Sequence, residues 1–489
     1  MNLVKGQIID SVEAEELKAN MSTWINQTLI REPIDPHDVA RACGEMAKML
    51  NEEFAEAFME GQFLSESFVR SYIKEAKDML SEERLKERIR TELGGQAFQR
   101  VERTDNDGGC VYEQVLPLGV LLHVAAGNMD VLPAYSVLEG LLTGNINILK
   151  MPSDGSELSV RILHALTEQI PEIKEYIYVF DYTSQDVEIL KFLADLSDGV
   201  VVWGGDEAVK AFRTYARPDT RLIEWGHKLS FAYVTKEGMN KEGLRGIAEN
   251  ICLTNQLLCS SCQEIMIDAE GMDELDQFCR DFLPVLEAAR RKYPISGGHA
   301  IAGRNAISGK HTAKGSHTIA RSHTIAGNHA IAEKNAIAEK NAIGDTTGTE
   351  NVPLQAQVTL RMYSERLHSI FTEKKVYQGE GCSITACPDR LPEACVQFGN
   401  CLAKAVPADE LFTTLRPYKG KLQTVALLCG EGEREHLTNI LLRAGAVRVT
   451  DGFNMSASYA GLPHDGVYSL QRYTKIVSVR KKATDQPGC

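Results

Sequence analysis

The stretch "HVAAGNMDVLPAYSVLEGLLTGNINILKMPSDGSELS", His123 to Ser159, decides the fold class. A short apolar run ends in a loop of small residues. A helical stretch follows, then a second apolar run, "NINILK", then a loop that opens another helix. Strand, helix and strand in this order make a βαβ unit, and such a unit calls for a parallel sheet. The same texture continues outward. "YIYVFD", "DGVVVWGG", "LSFAYV", "EIMIDAEG", "LQTVALLCG" and "GAVRVTDG" are short, apolar and rich in β-branched residues. Helical stretches such as "DEAVKAFRTYA" separate them. The predicted class is α/β, with parallel sheets wrapped by helices.

The chain has 489 residues, enough for two or three domains. Apolar content of 43% and charged content of 25% are those of an ordinary soluble globular protein. A net charge of −14 argues against a nucleic-acid partner, because phosphate binding needs a basic surface. No apolar run reaches the roughly eighteen residues of a membrane-spanning helix. The N-terminus lacks the apolar core of a secretory signal. Twelve scattered cysteines then read as reduced thiols in a cytoplasm, not as a disulfide framework.

Two segments differ from the rest. The first ninety-five residues or so carry apolar residues at helical spacing among charges, as in "SESFVRSYIKEAKDMLSEERLKERI", and predict a helical lead-in. Residues 299–344 repeat every six positions ("HAIAGR", "NAISGK", "HTIAGN") and hold five of the twelve histidines. A small β-solenoid, spaced histidines for a metal, and a low-complexity surface insertion all fit such a repeat. The short length, with only Ile and Ala as apolar positions, favours the insertion.

"NQLLCSSCQE", Asn255 to Glu264, places Cys259 and Cys262 three apart in a polar setting. Half a zinc site, a redox pair and a nucleophile with a bystander all have this spacing. Zinc needs about four ligands, and neither Cys252 nor the Cys382/Cys387 pair offers a familiar spacing. No metal is expected. A thioredoxin-like pair belongs at a helix start after a first strand, whereas this pair precedes the strand-like "EIMID". A nucleophile needs a base and an oxyanion donor elsewhere. Glu224, at the end of the run "RLIEW", is a candidate base. Read alone, it is equally a strand-end acid at the surface. Asn128 offers an amide for an oxyanion. Lys150, at a strand's C-terminal end, suits an anionic cofactor. Gly204 and Gly205, between the run "VVVW" and a helix, suit a phosphate, although Asp206 also reads as a plain N-cap. The G-x-G-x-x-G fingerprint is absent.

The order Asn128, Lys150, Gly204-Gly205, Glu224, Cys259 resembles the aldehyde dehydrogenase superfamily. Within it the blocks "HVAAGNMDVLPAYS", "WGGDEAVKA", "RLIEWGHKLSFA", "NQLLCSSCQ", "LRPYKGKLQTVAL" and "GLPHDG" are similar to the long-chain acyl-CoA reductases of the LuxC type. The likeness runs from about Leu116 to Val479, less the repeat. Two departures stand out. Cys262 replaces a proline common in the family, and leaves open whether it is inert or traps Cys259 as a disulfide. Val396, in "VQFG", stands where the superfamily has a Glu that holds the nicotinamide ribose, so that contact does not carry over.

The resemblance implies an aldehyde dehydrogenase-like fold. Residues 1–95 would form the helical region, 96–250 the NADP(H)-binding domain and 251–445 the catalytic domain. Residues 446–489 would form a return segment ending in an oligomerisation strand. It also implies an NADPH-dependent reduction of a long-chain acyl-CoA to the aldehyde. Cys259 would carry the acyl group, Asn128 hold the oxyanion, and Glu224 assist thiol deprotonation or CoA exchange. Ser153, three residues after Lys150, replaces a Glu of NAD-using relatives and does not repel a 2′-phosphate, which argues for NADPH. Implied partners are acyl-CoA or an acyl-protein, an acyl-activating protein, and further copies of this chain. Two other readings use the same sequence: a non-acylating aldehyde dehydrogenase, and a non-catalytic scaffold of an acyl-transfer complex.

Overall fold

The computed structural model describes residues 1–10, 13–51, 54, 66–106, 109–125, 131–152, 157–295 and 354–480. The hexapeptide repeat lies outside them.

Three sheets organise the chain. In the first, five parallel strands run in the order Ile177–Phe180, Ile146–Lys150, Val120–Val124, Gly199–Trp203, Arg221–Trp225. Val120–Val124 is buried at all five positions. That explains its apolar run, because a parallel strand covered on both faces has no solvent side; His123 interrupts it, buried and hydrogen-bonded to Ser136 at 2.6 Å and Asn147 at 3.0 Å. Truncating the fully buried Leu122 to alanine would cost about 3 kcal/mol. Helices with one apolar stripe cover the sheet. In Asp206–Tyr215, for example, Val209 and Phe212 are buried and the other side is charged.

The second sheet has the order Lys375–Gly379, Cys382–Cys387, Asn400–Ala405, Cys262–Ile267, Leu229–Val234, Leu422–Leu428, Arg448–Thr450. All its pairs are parallel except the first. The helix Lys241–Leu253 packs on it through Ile247, Ala248, Ile251 and Cys252. Its first turn is capped by Asn240, whose side chain accepts from the Gly243 N–H at 2.8 Å. The third sheet joins Thr474–Arg480 to Cys110–Pro117 and Val101–Thr104, all antiparallel.

This arrangement corrects the expected boundaries. The N-terminal region is not wholly helical. Asn2–Val4 and Gln7–Ile9 extend the first sheet past Ile177–Phe180. Leu17, Met21, Val39 and Ile89 from the lead-in helices share that sheet's core. The first 95 residues are therefore part of the first α/β layer system. The change of sheet comes not at 250 but between Trp225 and Leu229, since Leu229–Val234 already belongs to the second sheet. Likewise Arg448–Thr450 still pairs within the second sheet, past the expected limit at 445.

A buried ion-pair network ties the C-terminal return to the first sheet. Arg88 donates to Glu92 at 2.6 Å, to Tyr135 at 2.7 Å, and to Glu139. Glu92 accepts from the Leu470 N–H at 2.9 Å, and Glu139 from the Tyr473 hydroxyl at 3.2 Å. Among the described residues, no helix is long and apolar enough to cross a membrane.

Candidate active site

Gly226, His227 and Lys228 carry the chain from the last strand of the first sheet to the first strand of the second. The C-terminal edge of one parallel sheet therefore adjoins the N-terminal edge of the other. C-terminal edges of open parallel sheets are where ligands bind. Lys150, Gly204 and Glu224 lie along the first edge. Cys259, three residues before Cys262–Ile267, lies along the second, next to the starts of Leu229–Val234 and Leu422–Leu428.

The turn that holds Cys259 is fastened at several points. Asn255 and Gln256 adopt left-handed φ of 48° and 62°, uncommon for residues with a Cβ. The Gln256 amide donates to the Cys262 carbonyl, and its oxygen accepts from the Gly399 N–H, both at 3.0 Å. The Phe398 N–H donates to the Asn255 carbonyl at 3.0 Å. Thus "VQFG", where the expected ribose contact is lacking, is a latch for the cysteine turn. The Cys259 carbonyl accepts from the Ser230 hydroxyl at 2.7 Å.

Of the eleven described cysteines, Cys259 alone is exposed. It sits in a recess of the protein, and loss of hydration there raises its thiol pKa. The Gln423 amide, 3.3 Å from Sγ, opposes that rise; the charge of Asp465 adds to it; the N–H groups of Cys259 and Ser260 oppose it further. Cys262 is different in kind. It is fully buried in the second sheet, its thiol faces the Glu264 carbonyl at 3.3 Å, and burial pushes its pKa well up. The two cysteines therefore have separate partners, and Cys262 packs as core.

Lys150 is buried at a strand end, between Val124 and Phe180 of the flanking strands. Burial lowers its pKa, and Asp186 acts weakly against that. None of the described side chains accepts a hydrogen bond from its ammonium. A buried cation of this kind fits a phosphate or ribose of a dinucleotide. Gly204 ends Gly199–Trp203, and Gly205 is the N-cap of the next helix. A Cβ at Gly204 would meet only Ala208, at 3.4 Å, so the strand-to-helix turn is open. Asp206, in that helix's first turn, pairs with Lys421 at 3.3 Å.

Glu224, the base that sequence reasoning offered for Cys259, is engaged elsewhere. Its carboxylate accepts from Arg213 of the neighbouring helix at 2.7 Å. Among the described residues no hydrogen bond joins it to the sulfur. Asn128 and Ser153 lie outside the described residues. What sequence reasoning missed is the group on the far side of the sulfur. Gln423 also donates to Asp465 at 2.7 Å, and Lys228 lies 3.4 Å from the other Asp465 oxygen. His464 packs against Trp225 at 4.6 Å and Trp203 at 5.2 Å between ring centroids. These residues stand in the blocks "LQTVAL", "GHK" and "GLPHDG". The signal was present as quoted blocks, without any role attached.

Cys387, Asp389 and Glu393 cluster closely enough to hold a cation. The Lys404 ammonium already fills that place, 2.8 Å from Asp389 and 3.1 Å from Glu393.

Comparison with known proteins follows the same lines. The fold is that of aldehyde dehydrogenases. An NAD-dependent aldehyde dehydrogenase from Sinorhizobium meliloti superposes with a TM-score of 0.68 at 14% identity, over 100% of this chain and 95% of that one. The P. syringae indole-3-acetaldehyde dehydrogenase, solved with NAD+, gives 0.68 at 12% identity, over 98% and 96%. The long-chain acyl-protein thioester reductase 2 of Photobacterium leiognathi is 27% identical over 193 residues, 38% of this chain and 40% of that protein. The long-chain acyl-protein thioester reductase of Vibrio harveyi is 27% identical over 189 residues, 38% and 39%. The chain thus aligns with about two fifths of the length of these relatives. Residues 33–394 and 355–476 match the family described as acyl-CoA reductase (LuxC). With both sheets and the cysteine turn inside the matched span, this chain belongs to the acyl-CoA reductase (LuxC) family.

Proposed function

We propose that this chain reduces a long-chain acyl thioester to the aldehyde, with Cys259 as the acyl carrier and NADPH as reductant. The observation that carries the reading is the exposed thiol of Cys259 on one sheet edge, with the buried ammonium of Lys150, which donates to none of the described side chains, on the adjoining edge. The Cys259 thiolate attacks the thioester carbonyl. The C–S bond to CoA, or to a donor protein, breaks, and the departing thiolate takes a proton. Asn128 and the Cys259 N–H hold the oxyanion, and losing one such donor costs about 3 kcal/mol. Lys150, Ser153, Gly204 and Gly205 would bind the dinucleotide, whose nicotinamide supplies the hydride for reduction. Collapse to the aldehyde returns the electron pair to sulfur, and a thiolate is a competent leaving group for that step. Glu224, already paired with Arg213, serves CoA exchange rather than thiol deprotonation.

The test is intact-mass analysis after incubation with acyl-CoAs of several lengths and no reductant. A mass gain equal to the acyl group, absent in Cys259→Ala, is expected. No gain with any acyl-CoA or acyl-protein donor would sink the reading. The aldehyde dehydrogenase fold favours one alternative, oxidation of an aldehyde with water attacking the acyl-enzyme. Turnover of aldehyde with NAD and no CoA, exceeding turnover of acyl-CoA with NADPH, would establish it.

A further inference from the structure

We infer that Gln423 is the catalytic residue that holds the Cys259 sulfur in its reactive form, and that Asp465 is the positioning residue that aims Gln423. The inference rests on Cys259 being the nucleophile. Gln423 is the second residue of the strand Leu422–Leu428 and is buried, with its Nε2 3.3 Å from Sγ and 2.7 Å from Asp465 Oδ1. A primary amide has two N–H groups on one nitrogen and a bare acceptor oxygen. With the nitrogen toward the site, one N–H serves the sulfur and the other the carboxylate. Turned over, the oxygen would face two acceptors. An ionised Asp465 accepts only, so it selects the first orientation. Among the described residues the Gln423 oxygen is left buried without a partner, a cost that the two donated hydrogen bonds have to offset.

Asp465 is itself held in place. It occupies a left-handed φ of 49° in a turn closed by reciprocal backbone hydrogen bonds between His464 and Val467. Gly466 follows with a φ of 81°, and Asp-Gly is a favoured pair for a tight turn with positive φ at both central residues. The groups around the carboxylate come from both sheets. Lys228, on the link between them, lies 3.4 Å from Asp465 Oδ2 and offsets its charge. His464 Nε2, 4.0 Å from the same oxygen, is fixed between Trp203 and Trp225 at the first sheet's edge. From that edge the further charged groups are the Glu224–Arg213 pair and Arg472, which stacks on Trp225.

The amide has work in both halves of the proposed reaction. A donor to the sulfur stabilises the attacking thiolate, and later the thiolate that departs as the aldehyde forms. Gln423 and Asp465 act on the sulfur with opposite sign, because the amide favours its negative charge and the carboxylate opposes it.

That opposition supplies the test. Alkylation of Cys259 by iodoacetamide is followed across pH on the full chain, with the modified peptide quantified by mass spectrometry. Gln423→Ala is expected to move the midpoint up by about one pH unit. Asp465→Asn, which keeps an acceptor oxygen but loses the charge, is expected to move it down. Midpoints that stay put, or that move in the same direction, overturn the assignment. If Gln423→Ala does not fold, Gln423→Glu keeps the shape and replaces the donor by a negative charge. A raised midpoint supports the role, and an unmoved or lowered one overturns it. The readout needs neither acyl donor nor dinucleotide. Opposed shifts in a protein that no acyl donor labels would leave Gln423 its role and remove the acyl-reductase reading.

Discussion

Arg213 and Glu224 close an ion pair at the edge of the first sheet, with the guanidinium Nε 2.7 Å from the carboxylate. The pair satisfies the one acid that the sequence offers as a base for Cys259. Glu224→Gln is therefore expected to leave the pH midpoint of Cys259 alkylation where it is. A shift of the midpoint toward acid or alkali by a full unit would return Glu224 to the thiol.

Lys150 is the clearest handle on cofactor choice. Lys150→Met removes a buried cation without changing the length of the side chain much. Hydrogen bonds to charged groups are worth about 1.5–3 kcal/mol, so kcat/KM for NADPH should fall roughly ten- to hundredfold. The fall should be smaller for NADH, which lacks the 2′-phosphate. Steady-state kinetics with both dinucleotides decides it, and equal losses would remove Lys150 from the phosphate.

The network around Arg88 makes a stability prediction. Arg88, Glu92 and Glu139 are all buried. Arg88→Met strands two carboxylates, and breaking such a network costs about 3–5 kcal/mol. The urea midpoint should drop accordingly. Adding Glu92→Gln and Glu139→Gln to Arg88→Met should restore part of the loss, because no unpaired charge then remains. A drop no smaller in the triple variant would show that packing, not charge, sets the cost.

Glu264 gives a pH dependence. It is fully buried in the strand Cys262–Ile267, and desolvation raises its pKa to about 8, partly offset by Lys404. The folded state then keeps a proton that the unfolded chain has lost above about pH 4.3. The stability this group contributes is whole below the unfolded value and is lost as pH rises toward the folded one. Glu264→Gln removes that titration. Its stability relative to the parent should therefore improve steadily from about pH 5 to about pH 8. Urea unfolding at several pH values measures it, and a constant difference would contradict the raised pKa.

Much of this was legible in the chain. Runs such as "VVVW" and "LSFAYV" are buried parallel strands because mostly apolar residues fill both faces of a covered sheet. Cys259 stood out through its polar neighbours, and among the described residues it is the exposed thiol. The N-terminal strands escaped notice because "NLV" and "QII" are too short to show a period. The sheet boundary was misplaced because the link Gly226–Lys228 has no composition of its own. Gln423 and Asp465 were not legible as site residues. Their pairing with the sulfur depends on one strand start and one turn meeting across the second sheet, and spacing along the chain carries no trace of that.

The order of assembly follows from the same contact. Cys259 leaves the ribosome well before its partners exist. The amide that touches the sulfur is synthesised 164 residues later, and the carboxylate that aims the amide 42 residues after that. Pairing so distant in sequence forms late in folding. A nascent chain therefore carries the cysteine as an ordinary thiol, and translation has to run almost to Arg480 before the sulfur acquires its proposed chemistry.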